Sequence, residues 1–401
     1  MITKIKFILI IAISLILIIF SPDTSKAEVR AILDEGFNWI TPESADKLLS
    51  RIKKAGFNVL IPCVWHGRGT TWPSSLAPKD LRWESIYNKN PILFKDPLAY
   101  LIKKAHEIEI EVHPWFTVTL RQREFFPEFY DEGTPQGFFN VHIPAFRKFI
   151  VDLMLEVVKK YDVDGINLDY IRSGGICSSQ YCVDDYKSKY GRNLKWDIIN
   201  RQFSKEALQT IIDWNSKAVE EIVENTSKEI KKLKPNIILS VDSHAGYQPL
   251  LIHGTDSVSW ANKGWIDAVF HMNYGYPINQ IELKKIIGLF SDPNKFILLV
   301  GNYDKLSSTN IVSRDPQKLV ELISIAQNIN PLQRLGVYLY GLLSDEQIET
   351  LRTGPFKEPS KPNWFKKQDL SPISPPRLYL YYIKNNLKAN RNNNSIINLK
   401  S

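Results

Sequence analysis

Eight times between residues 29 and 340, a short and nearly continuous apolar run gives way to an amphipathic stretch with Lys and Glu on one side. The runs fall at residues 29–33, 58–65, 110–117, 165–170, 237–242, 268–273, 296–301 and 336–340. A run without polar alternation is what a parallel strand buried on both faces requires. Strand followed by helix implies parallel crossovers, and eight such units imply closure into a barrel. The predicted fold class is therefore α/β, a (β/α)8 TIM barrel. An open doubly wound sheet would want a Gly-rich phosphate loop after the first strand, and Asp34, Glu35, Gly36, Phe37, Asn38 and Trp39 do not form one.

The ends of the chain read differently. Lys4 and Lys6 precede an apolar run at 7–20, and Ser25, Lys26 and Ala27 follow it. That order predicts a signal peptide over residues 1–27, a mature chain from Glu28 and an extracytoplasmic location, secreted or associated with the envelope. The run is shorter than the roughly 20 residues of a membrane span, although an uncleaved anchor is the alternative. Residues 28–355 are assigned to the barrel. Residues 356–401 read as a basic, Pro/Asn-rich tail, a linker with a weakly ordered end in which residues 378–383 could dock as one strand.

The net charge of +8 belongs to those ends. The tail holds nine basic and two acidic residues and the first 27 hold three and one, which leaves the body at −1. A body without basic excess argues against nucleic acid as a partner. The tail could touch anionic envelope components. Three cysteines are too few for a disulfide framework. Cys177 and Cys182 lie close enough to bridge in an oxidising compartment, and Cys63 reads as a buried thiol. The sequence does not set the oligomeric state.

In a barrel of this kind chemistry sits at the carboxyl ends of the strands. Those ends carry Asp34 and Glu35; Trp65, His66 and Arg68; His113 and Trp115; Asn167, Asp169 and Arg172; Asp242 and His244; His271, Asn273 and Tyr274; Tyr303; and Tyr338 with Tyr340. Aromatic rings stack on the apolar faces of sugars, and paired carboxylates carry out glycosidic cleavage. Asp169 is the principal candidate. Asn167 and Asp169 are two apart on one strand and face the same way. A carboxylate held among strands has a perturbed pKa. Asp242 is the favoured second carboxylate, Asp34 and Glu35 compete with it, and Asp184, Asp185 or Glu124 would be loop alternatives. Asp164 reads as a strand-start residue. Trp65, Trp115, Tyr274 and Tyr340 are expected to shape sugar subsites. His66, Arg68, His113, Asn167, Arg172, His244, His271, Asn273 and Tyr303 are expected as polar contacts. No cofactor or metal is expected, although His66, His113, His244 and His271 leave open a metal-dependent deacetylase or amidohydrolase. A glycan-binding barrel without catalysis is the other alternative.

Several of these segments resemble a known family. Gly56-Phe57-Asn58-Val59-Leu60, Asp96-Pro97-Leu98 and His113-Pro114-Trp115-Phe116 are similar to the opening of the bacterial glycosyl-hydrolase-like barrels, the family 10 glycosylhydrolase-like proteins. The stretch from Tyr161 through Asp164, Gly165, Asn167, Asp169 and Tyr170 to Arg172 resembles that family's fourth-strand motif, and Gly264-Trp265-Ile266-Asp267 with Met272-Asn273-Tyr274 its sixth. The resemblance implies a (β/α)8 barrel, export and hydrolysis of an envelope or extracellular polysaccharide, with Asp169 in the place of the strand-four acid. A related barrel cleaves partly deacetylated poly-β-1,6-N-acetylglucosamine, and peptidoglycan-related glycans fit by analogy. Two positions depart from the family's pattern: Tyr170 stands where a second Asp often follows the first, and Met272 where Gln is common.

Overall fold

The computed structural model describes residues 26–89, 95–122, 125–307 and 310–364. The expected signal segment (apart from residues 26 and 27), the possible strand at 378–383 and the loop carboxylate Glu124 lie outside the described residues.

The eight expected strands form a closed parallel barrel. In chain order they and the helices are β1 Arg30–Asp34, α1 Pro42–Ala55, β2 Val59–Trp65, α2 Leu81–Lys89, α3 Pro97–Glu107, then β3 in two pieces, Glu111–Val112 and Trp115–Thr117. These are followed by α4 Pro144–Lys160, β4 Gly165–Asp169, α5 Gln180–Tyr190, α6 Leu194–Asn200, α7 Lys205–Leu233, β5 Ile238–Ser243, α8 Ser257–Asn262 and β6 Ala268–Asn273. The chain continues through α9 Gln280–Ile287, β7 Phe296–Gly301, α10 Pro316–Ile329, β8 Leu335–Tyr338 and α11 Asp345–Thr353. Each strand pairs in parallel with the next, and β8 pairs with β1 to close the ring. This is a TIM barrel. Helix starts follow local chemistry: Thr41 caps α1 in a capping box with Ser44, and Asp96 and Ser204 accept backbone N–H bonds at the starts of α3 and α7.

Strand alternation divides the core in two. Ala31, Leu33, Ile61, Cys63, Trp115, Phe270, Ile297 and Leu299 point inward and fill the barrel. Ile32, Leu60, Val64, Leu168, Val241, Leu298 and Val337 point outward and pack under the helices. The long helical region after β4 is three helices. α5, α6 and the start of α7 enclose a satellite core of Tyr186, Leu194, Ile211 and Trp214, joined by the Cys177–Cys182 disulfide. Cys63 is the buried free thiol.

The expected boundary at residue 355 is corrected. Phe356 is buried, meets Phe57 edge to face and lies under the Arg30 guanidinium. Ser360–Lys361 pairs with Lys26–Ala27. Trp364 packs on His113 inside the foot of the barrel and donates to Glu111 Oε2 at 2.6 Å. Residues 356–364 therefore close the amino-terminal end of the barrel, because apolar groups there would otherwise face water. A tail read from charge and proline content could not reveal this, since two aromatic rings carry the packing.

Candidate active site

Asp169 is the last residue of β4, beside Thr117 of β3. Asn167 lies one layer below on the same face. Its amide donates to Ser240 Oγ and Asp242 Oδ1, both at 3.0 Å. Asp242 is thus drawn into the barrel beneath Asp169. Burial pushes the Asp242 carboxyl well above the ordinary carboxylate range, and the nearby Asp169 adds to the effect. Asp169 is itself pushed up to about 6, chiefly by burial and in part by Glu35. The Tyr170 N–H, 2.6 Å from Asp169 Oδ1, and the Arg172 charge act against that rise.

The turn that follows is held in an uncommon shape. Tyr170 has φ +49°, a left-handed conformation that costs a non-glycine residue about 1–2 kcal/mol. The Thr119 hydroxyl secures it by donating to Tyr170 O, and it lies 2.7 Å from Arg172 O. The Arg172 guanidinium sits 4.8 Å from the Tyr170 ring centroid. This accounts for Arg172 as a cation beside Asp169 rather than a direct ion-pair partner.

Asp34 and Glu35 face opposite ways. Leu33 and Glu35 share the inward parity, and Glu35 is solvent-exposed at the rim, where its Oε2 accepts from Tyr338 OH. Asp34 points under the helices. It is fully buried, accepts from Asn38 Nδ2 at 2.7 Å, and its Oδ2 has no partner. Burial raises its pKa to about 6. Asp34 therefore leaves the list of catalytic candidates, since its carboxylate does not face the barrel mouth.

Around the two inward carboxylates stands an aromatic wall. Tyr338 stacks on Tyr274 with centroids 4.9 Å apart, Tyr303 lies about equally near both, and Trp115 meets Tyr338 at 6.4 Å. Beside it, a groove of about 550 Å³ runs between the loop after β5 and α9, lined by His244, Tyr247, His271, Asn273, Tyr274 and Glu282. His244 is exposed there and holds Met272 O at 3.1 Å through Nδ1.

Other expected site residues lie elsewhere. Trp65 is fully buried on the outer side of the sheet, packed against Phe126 and Phe149. Tyr340 follows β8 in a helical turn and packs in the same outer core. His113 is sealed at the foot of the barrel, 3.2 Å from Glu111 Oε2, and a Cβ on Gly165 would come within 2.4 Å of its ring. Glycine at 165 is what makes room for it. His66 is buried, stacked on Phe37, and holds Glu35 O at 2.8 Å, so it positions the Glu35 turn. Arg68 pairs with Asp80 at 2.7 Å and donates to Gln122 at 2.6 Å, bracing the loop after β2. His271 is buried against Phe296 at the groove's edge. Burial depresses its pKa, like that of His66, to about 4. Asp164 binds Val112 N and His106 at the start of β4, as its position suggested. On α5, Asp184 accepts from Gln180 and Asp185 is tied to Lys189 and Trp214.

Among the described residues, no three His, Cys, Asp or Glu side chains gather as a metal would need. Tyr338, one of the expected strand-end residues, had no subsite role assigned to it, and the structure places it in the aromatic wall. Its parity with Gly336 on β8 was the available signal, because inward positions alternate.

The pattern known as Glycosyl hydrolase-like 10 matches residues 31–131 and 128–282, more than half of the sequence. The chain belongs to the glycosyl hydrolase-like 10 family. Among curated relatives, glycosyl hydrolase YngK of Bacillus subtilis (strain 168) is 26% identical over 208 residues, 48% of this chain and 38% of YngK. Glycosyl hydrolase DigH of Escherichia coli (strain K12) is 24% identical over 219 residues, 48% of this chain and 45% of DigH. The match thus spans less than half the length of either relative. The barrel also superposes on solved structures. The glycoside hydrolase domain of PgaB (BpsB) from Bordetella bronchiseptica gives a TM-score of 0.57 at 11% identity, covering 82% of this chain and 98% of that domain. Gan42B, a GH42 β-galactosidase from G. stearothermophilus, gives 0.55 at 12% identity, covering 82% and 56%. At such identities these two likenesses speak for the fold.

Proposed function

We propose that this family 10 barrel is an extracytoplasmic glycoside hydrolase acting on a cell-envelope or extracellular polysaccharide, with Asp169 and Glu35 as its working carboxylates. The observation that carries the reading is their juxtaposition at the carboxyl end of the barrel beneath an aromatic wall. Asp169, raised to about 6, holds its proton in mildly acidic solution, up to about pH 6, and suits the general acid that protonates the glycosidic oxygen. Glu35, oriented by the Tyr338 hydroxyl, suits the second carboxylate, which attacks the sugar or activates water. Asp242 is moved from partner to support: it is sealed beside Asn167, and burial with the nearby Asp169 charge inclines it to stay protonated. Half-buried Tyr274 and Tyr338, backed by Trp115 and Tyr303, offer ring faces for sugar, and the groove past His244 and Asn273 has room for further units of a chain.

The disulfide supports export, because such bonds persist in oxidising compartments. It agrees with the basic start, apolar run and small residues of the first 27 positions. A binding-only barrel would need only one carboxylate in the mouth, and here Glu35 faces the same space as Asp169. The test is a screen of bacterial exopolysaccharides and peptidoglycan-derived glycan strands for new reducing ends. Release by the purified protein supports the proposal. Glycan binding with no release anywhere in the panel would move the reading to a binding barrel.

A further inference from the structure

The insertion after β4 presents a surface that the barrel chemistry does not use. Trp196, Ile199 and Phe203 are 51%, 73% and 85% exposed. They lie three and four residues apart, on one side of α6 and the turn that follows it. Isolated exposed apolar residues are ordinary on protein surfaces, but three large ones within eight positions are not.

The scaffold beneath them is rigid. Arg192 grips Asp197 with two bonds of 2.7 Å, and Tyr186 OH donates to the same carboxylate at 2.7 Å. The disulfide fixes the start of α5. The apolar row is therefore displayed by a braced platform and is not a fraying end.

The charge around it is predominantly positive. Residues 187–205 hold six basic side chains and one acidic, against a body near neutrality. The one acid, Asp197, is buried under Arg192. Of the flanking acids, Asp185 pairs with Lys189 and Glu206 with Arg192, and exposed Asp184 accepts from Gln180 at 3.0 Å. Lys187, Lys195 and Lys205 are exposed and make no ion pair among the described residues. Two cations thus sit directly beside the row, at Lys195 and Lys205.

We infer that this face docks on an anionic lipid bilayer, with Trp196, Ile199 and Phe203 entering the headgroup boundary and the lysines meeting lipid phosphates. Apolar groups rimmed by lysine are what peripheral attachment to such a surface requires. A glycan would want rings with polar partners at their edges, and Ile199 offers none. A second copy of the chain would bring the same cations face to face across a two-fold axis. Because the insertion follows β4, attachment would hold the Asp169 rim near the membrane.

The test is co-sedimentation of the full chain with vesicles of phosphatidylcholine alone, or with about one-third phosphatidylglycerol. The expected result is binding to the anionic vesicles only. Trp196→Ser/Ile199→Ser/Phe203→Ser is expected to lower it about tenfold or more, and Lys195→Glu/Lys205→Glu to lower it by several fold. Both variants should keep the wild-type circular dichroism, since the exchanged side chains are exposed and lie outside the satellite core. Reducing-end release from soluble glycan should be unchanged, so failure here is distinguishable from failure of the hydrolase reading. Three results would overturn the inference: no binding by the wild type, binding that survives the triple substitution and so belongs to the basic tail, or a wild-type dimer in light scattering that the triple substitution dissolves.

Discussion

At Asp169, burial and, in smaller part, Glu35 leave the carboxyl raised to about 6, while the Tyr170 N–H and Arg172 keep it from rising further. A group that acts as a proton donor is active in its protonated form, so kcat should fall as pH rises through about 6. A pH–rate profile on any cleaved glycan checks this, and Asp169→Glu should move the descending limb. Asp34 has a similarly raised pKa but no place in the mouth, which separates stability from catalysis. In the unfolded chain it ionises near 3.8, and in the fold near 6. Its contribution is therefore full below pH 3.8 and lost as pH rises through about 6. The loss amounts to about 2–3 kcal/mol at about 1.4 kcal/mol per pH unit. Asp34→Asn should flatten that part of the stability–pH curve in urea titrations and leave activity intact. A curve of unchanged slope would show that Asp34 is not the buried titrating group.

Strand parity decides most of what could and could not be foreseen at the level of elements. On β4 the two-residue repeat placed Asn167 and Asp169 on one inward face, and that is where they lie. On β2 the same reasoning fails at Trp65, because the pairing with β3 shifts register between Cys63 and Trp65 and turns the indole outward. On β3, Pro114 separates two short pieces, and the barrel rim falls at Thr117, so His113 sits low inside the barrel. On β8 the strand ends at Tyr338, and the helical turn that follows carries Tyr340 into the outer core. A linear pattern records alternation but not bulges, strand tilt or the height of the rim. These assignments predict different phenotypes for two tryptophans. Trp65→Ala should cost about 3–5 kcal/mol of stability, because it leaves a cavity between sheet and helices. Trp115→Ala also empties part of the inner core and should lower stability too, but it should in addition raise KM for a cleaved glycan. A raised KM in Trp65→Ala at temperatures where it stays folded would contradict the outward placement.

For the whole molecule, the eightfold alternation made the barrel legible, whereas its closed foot was hidden in a segment whose charge and prolines suggested a linker. Phe356, the Ser360–Lys361 pairing and Trp364 seal the end opposite the site. Truncation after Pro355 should therefore lower the melting temperature sharply, and Phe356→Ala alone should cost about 3–5 kcal/mol. Truncation that leaves the melting curve unchanged would show that the foot does not need this cover. The disulfide-braced insertion and the aromatic wall belong to the other end, where one pair of carboxylates is assigned the chemistry. Reducing-end release by Asp169→Asn, set beside wild type and Asp34→Asn on the same glycan, addresses that assignment most directly. The expected result is a loss of about 10²–10⁴ in kcat for Asp169→Asn and near wild-type rates for Asp34→Asn. Wild-type turnover by a folded Asp169→Asn protein would contradict it.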